Sequence, residues 1–167
     1  MRTIASFFVL NALLLVQTAL SNFISFYGVK PDLPLVFIIC TAIAKGKKAG
    51  ALTGALNGVV EDVLFGRFLG LNAIAKPITG YIIGYTSRDL YKGRVIITMS
   101  MTFIGSVVFN LLYLLIAFFT GESSQLWHHF LTIAIPSALL NMIISPLFYF
   151  GVFKMEWFFN HYFDTRY

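Results

Sequence analysis

Long apolar stretches separated by short polar turns make up most of the chain. Six of these stretches are predicted as membrane-spanning helices, because a helix needs roughly 20 apolar residues to cross a bilayer. The predicted spans cover about residues 3–27, 33–44, 49–65, 71–86, 95–119 and 128–153. The second span is short for a full crossing. We therefore expect it either to tilt into its neighbours or to continue through the next turn.

The basic residues indicate how these spans are oriented. If the N-terminus lies in the cytoplasm, nine lysine and arginine residues fall on the cytoplasmic side and two on the outer side. They are Arg2, Lys45, Lys47, Lys48, Arg88, Lys92, Arg94, Lys154 and Arg166 inside, and Lys30 and Arg67 outside. Because short cytoplasmic loops are rich in Lys and Arg, this split favours six spans with both termini in the cytoplasm.

Composition supports a membrane protein. Of 167 residues, 58% are hydrophobic and only 11% are charged, which is more apolar surface than one soluble core can bury. We predict an all-α integral membrane protein with a single transmembrane domain, residues 1–167, and no room for a catalytic domain. The first stretch is interpreted as an uncleaved span. The net charge of +5 is explained by orientation, so no nucleic-acid partner is predicted.

Glycines recur every four residues through the basic turn and the third predicted span, and the spacing returns in the fourth span. They are Gly46, Gly50, Gly54 and Gly58, then Gly80 and Gly84. Small residues four apart form a smooth helix face that lets another helix approach closely. The pattern favours tight packing between the third and fourth spans. The alternative is a groove that docks a helix of another protein.

Charged residues also lie within the predicted spans. Glu61 and Asp62 are adjacent in the third span, and Lys76 lies in the fourth, four residues after Asn72. Because a charge inside a bilayer is costly, we expect Lys76 to pair with Glu61 or Asp62. The competing interpretations are a polar pocket that opens outward, a proton or ion relay, and an interfacial position for Glu61.

Other polar residues give little support for catalysis. Asn110 and Asn141 are expected to bridge helices, or to line a small cavity. His128 and His129 are adjacent, so on a helix they point about 100° apart and make a poor metal site. We predict no catalytic residue, no metal and no cofactor.

The order of several motifs resembles one protein family. The motifs are Lys30-Pro31-Asp32-Leu33, the basic turn with the glycine series ending at Asp62, Gly70-Leu71-Asn72-Ala73, Gly80-Tyr81 with Gly84, and Asn141 with Pro146. Together they are similar to the family of the rod-shape-determining protein MreD. The family positions carried over are Asp62, Asn72, Gly80, Gly84, Asn141 and Pro146. Lys76 departs from the family pattern, in which an apolar or aromatic residue is usual, so we expect an ion pair to plug any pocket there.

The resemblance implies a fold and a role. The implied fold has six helices and is similar to the substrate-binding (S) component of energy-coupling-factor transporters. The implied role is a non-enzymatic membrane scaffold of the elongasome, which supports side-wall peptidoglycan synthesis and rod cell shape. The implied direct partner is MreC, with MreB, RodA and a class B penicillin-binding protein in the same complex. The implied location is the bacterial inner membrane.

An alternative function on the same fold is a vitamin-binding subunit of a transporter. Such subunits typically carry alanines four residues apart on the first span for contact with the coupling subunit. Here Ala5, Ala12 and Ala19 are spaced by seven, so that pair is missing. The sequence therefore favours the scaffold.

Overall fold

The computed structural model describes residue 12 and residues 29–65, 70–89, 95–119 and 130–163. Every regular element in these ranges is helical, so the predicted all-α fold is confirmed there. The five α-helices are α1 (Leu33–Lys45), α2 (Lys47–Phe65), α3 (Leu71–Thr86), α4 (Val95–Phe119) and α5 (Ile135–Phe163). A short 3₁₀ turn, Ser87–Asp89, follows α3, and a π-helical turn, Phe130–Ala134, precedes α5.

Helices α1 to α5 correspond to the second to sixth predicted spans. The first predicted span, 3–27, lies outside the described residues. The first four helices begin and end within two residues of the predicted stretches. The last differs more, because α5 starts at Ile135 and continues ten residues past the predicted end at 153. Pro136 lacks the N–H that would bond to the carbonyl of residue 132, which accounts for the irregular turn before it.

Helix α1 is the centre of the bundle. Its residues from Leu33 to Ile43 are all buried, and it packs against each of α2, α3, α4 and α5. A helix that is apolar all round belongs in an interior, and 13 residues span only about 20 Å. Helix α1 is therefore a short interior helix, surrounded by four longer helices.

A single residue joins α1 to α2. Gly46 adopts a positive φ of 90°, a conformation that side chains other than glycine rarely accept. Its N–H donates to the Ala42 carbonyl and closes α1, while its own carbonyl accepts from Gly50 in the first turn of α2. Gly46 thus serves chiefly as the turn between the two helices.

The glycines of α2 and α3 face each other across the most extensive helix contact in the bundle. A Cβ atom added at Gly50 would lie 2.6 Å from the Gly80 carbonyl oxygen, and one at Gly54 would lie 2.7 Å from the Lys76 carbonyl oxygen. Gly58 is similarly close to the Asn72 backbone, and Gly84 to the Lys47 backbone. The two backbones touch, as small-residue faces allow.

The outer helices carry large apolar side chains on their exposed faces. Two segments, Val95–Ile116 in α4 and Thr132–Lys154 in α5 with its preceding turn, are long and apolar enough to cross a membrane. Ile143 and Leu147 of α5 are 66% and 75% exposed, which would be unfavourable in water. Lipid is the natural solvent for these faces. That every predicted stretch crosses the bilayer stays a prediction.

The glycine contact predicts a sharp difference between two glycine substitutions. Gly54→Ala forces α2 and α3 apart against backbone atoms, so we expect a loss of about 1–3 kcal/mol in unfolding free energy. Gly151→Ala in α5 is the matched control, because a Cβ there meets nothing within 4 Å. It should leave stability unchanged or raise it by up to about 1 kcal/mol. Unfolding in detergent, followed by circular dichroism, measures both, and equal stabilities would contradict the packing described.

Candidate functional site

A fully buried lysine lies at the meeting point of α1, α2 and α3. The Lys76 side chain in α3 has no exposed surface, so its ammonium group must be neutralised within the protein. Its Nζ lies 2.5 Å from Glu61 Oε2 and 3.4 Å from Asp32 Oδ2, and it donates to Asn57 Oδ1 at 2.9 Å. We call these four residues the Lys76 cluster.

Helix α2 supplies two members of the Lys76 cluster from one face. Asn57 and Glu61 are four residues apart, so their side chains lie one above the other. Gly54, almost one turn earlier, lets the α3 backbone approach that same face. The ring of Phe109 in α4 lies 5.7 Å from the ammonium and adds a cation–π contact. With two carboxylates and one ammonium, the ionised cluster carries a net charge of −1.

Asp32 connects the Lys76 cluster to the other helices. Its Oδ1 accepts from the Leu35 N–H and caps the start of α1, while its backbone N–H donates to Asn141 Oδ1 in α5. Asn141 Nδ2 in turn donates to Ser106 Oγ in α4. A continuous set of polar contacts therefore joins all five helices. Such contacts hold membrane helices together because apolar association is weak in lipid.

Asp62 has a separate role beside the cluster. Its carboxylate accepts from the backbone N–H groups of Gly70, Asn72 and Ala73 at 2.9, 3.1 and 2.8 Å, and from Asn72 Nδ2 at 3.0 Å. These donors form the start of α3, where N–H groups lack partners within the helix and the dipole favours a negative charge. Asp62 thus caps α3 from the end of α2.

The structure settles which acid faces the lysine. Lys76 pairs with Glu61, and Asp62 does not contact it. Of the two predicted bridging amides, Asn141 links helices, whereas Asn110 donates to the Ser106 carbonyl of its own helix.

Three members of the polar network were not predicted from sequence: Asp32 and Asn57 as partners of Lys76, and Ser106 as the partner of Asn141. The spacing of four between Asn57 and Glu61 was an available signal for one of them.

The contacts of the Lys76 cluster join helices. The Lys76 ammonium contacts an oxygen atom of each of the other three members. Asn57 Nδ2 is buried without a hydrogen-bond partner. Within the described ranges, no group of three His, Cys, Asp or Glu side chains could hold a metal ion. His128 and His129 lie outside those ranges. Cys40 is buried in α1, against the Ser145 carbonyl.

Removing the lysine should be far more damaging than removing an exposed one. Lys76→Met leaves two partly buried carboxylates, Glu61 and Asp32, without a counter-charge, so we expect a loss of about 3–5 kcal/mol in unfolding free energy. Combining it with Glu61→Gln should recover part of that loss, a coupling of about 0.5–3 kcal/mol. Lys30→Met, at an exposed position, is the matched control and should change stability by less than about 0.5 kcal/mol. If the losses of unfolding free energy from Lys76→Met and Glu61→Gln simply added in the double variant, the pairing would be contradicted.

Removing the cap should loosen one helix end. Asp62→Ala leaves three N–H groups at the start of α3 without their acceptor, so we expect faster amide hydrogen exchange at residues 70, 72 and 73 and a loss of about 1–2 kcal/mol in unfolding free energy. Asp62→Asn keeps an acceptor without the charge and should lie between the wild type and the alanine variant. Wild-type exchange at these amides in both variants would rule out the capping role.

The chain matches a known protein family over nearly its whole length. That family is the rod shape-determining protein MreD, and the match covers residues 1–158. No curated protein and no solved structure gives a significant match. The resemblance drawn from the motifs is thereby confirmed, and with it a membrane protein with a role in cell shape. This chain belongs to the rod shape-determining MreD family.

Proposed function

We propose that this protein is a non-enzymatic membrane scaffold of the bacterial elongasome, which binds MreC and supports side-wall peptidoglycan synthesis. The family match over residues 1–158 carries the proposal. The described interior supports it, since the charged side chains there bind one another and join helices. No comparison supports the vitamin-binding alternative, and it forms no part of the proposal.

The proposed topology is one transmembrane domain, residues 1–167, with six spans in the inner membrane and both termini in the cytoplasm. One observation supports alternating helix directions. Gly50 and Gly58 of α2 lie against the late and early parts of α3, which makes that pair antiparallel. We further propose a fold similar to the S component of energy-coupling-factor transporters, without a bound cofactor.

The proposed partners are MreC directly, and MreB, RodA and a class B penicillin-binding protein in the same complex. The glycine faces of α2 and α3 are occupied by each other, so they leave no open groove for the span of MreC. Docking must then use an outward face that carries large apolar side chains. Shape fit and van der Waals contact would drive it, because lipid removes the hydrophobic advantage.

Copurification with MreC tests the direct contact. One tryptophan on the exposed face of each of α2 to α5 changes the local shape without altering charge. The four variants are Val59→Trp, Ile78→Trp, Ile104→Trp and Ile143→Trp. We expect recovery of MreC to fall at least about fivefold for the helix that docks it, since a misfit of roughly 1 kcal/mol has that effect. The other variants serve as matched controls. Failure of the wild-type protein to recover MreC would overturn the direct contact.

Depletion tests the broader role. Rod-shaped cells that lose this protein should become round as side-wall synthesis loses its organisation. Cells that stay rod-shaped after complete depletion would contradict the scaffold function, whatever the outcome of the copurification.

A further inference from the structure

Basic residues collect at one end of the α2–α3 pair. Lys45, Lys47 and Lys48 surround the Gly46 turn, and residues 45–48 contain no acid. The Lys47 backbone packs against Gly84 of α3, and Arg88 lies about one turn beyond that glycine. This end therefore presents a concentrated positive charge, which we call the basic end.

One cation of the basic end is held in place by aromatic rings. Lys47 Nζ lies 5.3 Å from the centre of the Tyr81 ring and 5.1 Å from that of Tyr85. Both tyrosines remain largely exposed, at 46% and 60%. Tyrosine is enriched at the level of lipid headgroups, since its ring suits the apolar side and its hydroxyl the polar side. The rings and the lysine together mark that level on the surface of α3.

An unbroken apolar strip runs from these rings along α3. Tyr85, Tyr81, Ile78 and Ile74 are spaced by four, three and four residues, so they share one helix face, and all four are exposed. Eleven residues of helix rise about 16 Å. That is close to half of the roughly 30 Å hydrocarbon core, the depth of one leaflet.

We propose that the basic end and this strip together bind one anionic phospholipid, with its phosphate at Lys47 and Lys48 and an acyl chain along Ile78 and Ile74. The fixed cation matches the negatively charged headgroup of such a lipid. The apolar strip, which is one leaflet long, matches its acyl chain. Basic sites between helix ends are a general means of holding anionic headgroups. The inference is independent of MreC binding and of the elongasome.

Native mass spectrometry of the full chain in detergent tests the site. The protein is titrated with phosphatidylglycerol, or with phosphatidylcholine that has the same acyl chains. We expect clear preference for phosphatidylglycerol, and about thirtyfold weaker binding by the Lys47→Gln, Lys48→Gln variant. That factor follows from about 1 kcal/mol for each basic residue near an anionic surface and tenfold for each 1.4 kcal/mol.

The matched control is the Lys30→Gln, Lys154→Gln variant, which also removes two lysine charges, at exposed positions outside α2 and α3. It should bind phosphatidylglycerol as the wild type does. If both double variants lost the same affinity for phosphatidylglycerol, net charge alone would explain the effect and the site would be overturned. Equal affinity of the wild type for the two lipids would also overturn it. Competition by free glycerol 3-phosphate at the lipid's own concentration would also overturn it, because the apolar strip would then contribute nothing.

Discussion

The ammonium group of Lys76 is the constraint around which the described helices are arranged. It has no exposed surface in a bundle whose outer faces are apolar, so neither water nor lipid headgroups can neutralise it. Glu61 and Asn57 from α2 and Asp32 from the start of α1 therefore have to meet it. If α1, α2 or α3 moved, a buried charge would lose its partner. The free-energy cost of that unpaired charge exceeds the stabilisation that most single contacts give.

The glycine contact and the Lys76 cluster depend on each other. Gly54 lies against the backbone of Lys76 itself, so the absence of a side chain there sets how far Asn57 and Glu61 are from the ammonium. A wider separation of α2 and α3 would lengthen every one of those contacts. Asp62 fixes the same pair at its other end, where it binds the first N–H groups of α3. Close backbone packing and charge pairing thus act as one unit.

Sequence patterns predicted the bounds of α1 to α4 to within two residues, because an apolar stretch ends wherever a polar turn or a glycine interrupts it. The continuation of α5 to Phe163 was missed, since its last turns mix aromatic and charged residues and read as a tail. Sequence could not choose between Glu61 and Asp62, because adjacent residues point about 100° apart and the rotation of a helix is set by packing. The central place of α1, and hence the contact of Asp32 with Lys76, depends on tertiary arrangement that no local pattern contains.

The family positions at the α2–α3 junction are explained by internal packing rather than by partner contact. Asp62 and Asn72 form the cap, and Gly80 and Gly84 lie against the α2 backbone, so none of the four is free to face another protein. The outer helix faces left for the proposed partner carry mainly branched and aromatic side chains, which lipid solvates as readily as a protein helix does. Selective docking there must come from complementary shape. A stiff bundle favours such recognition because its surface is set before the partner arrives. In the proposed scaffold role, the buried charges would contribute by fixing the outer faces, although no partner would touch them.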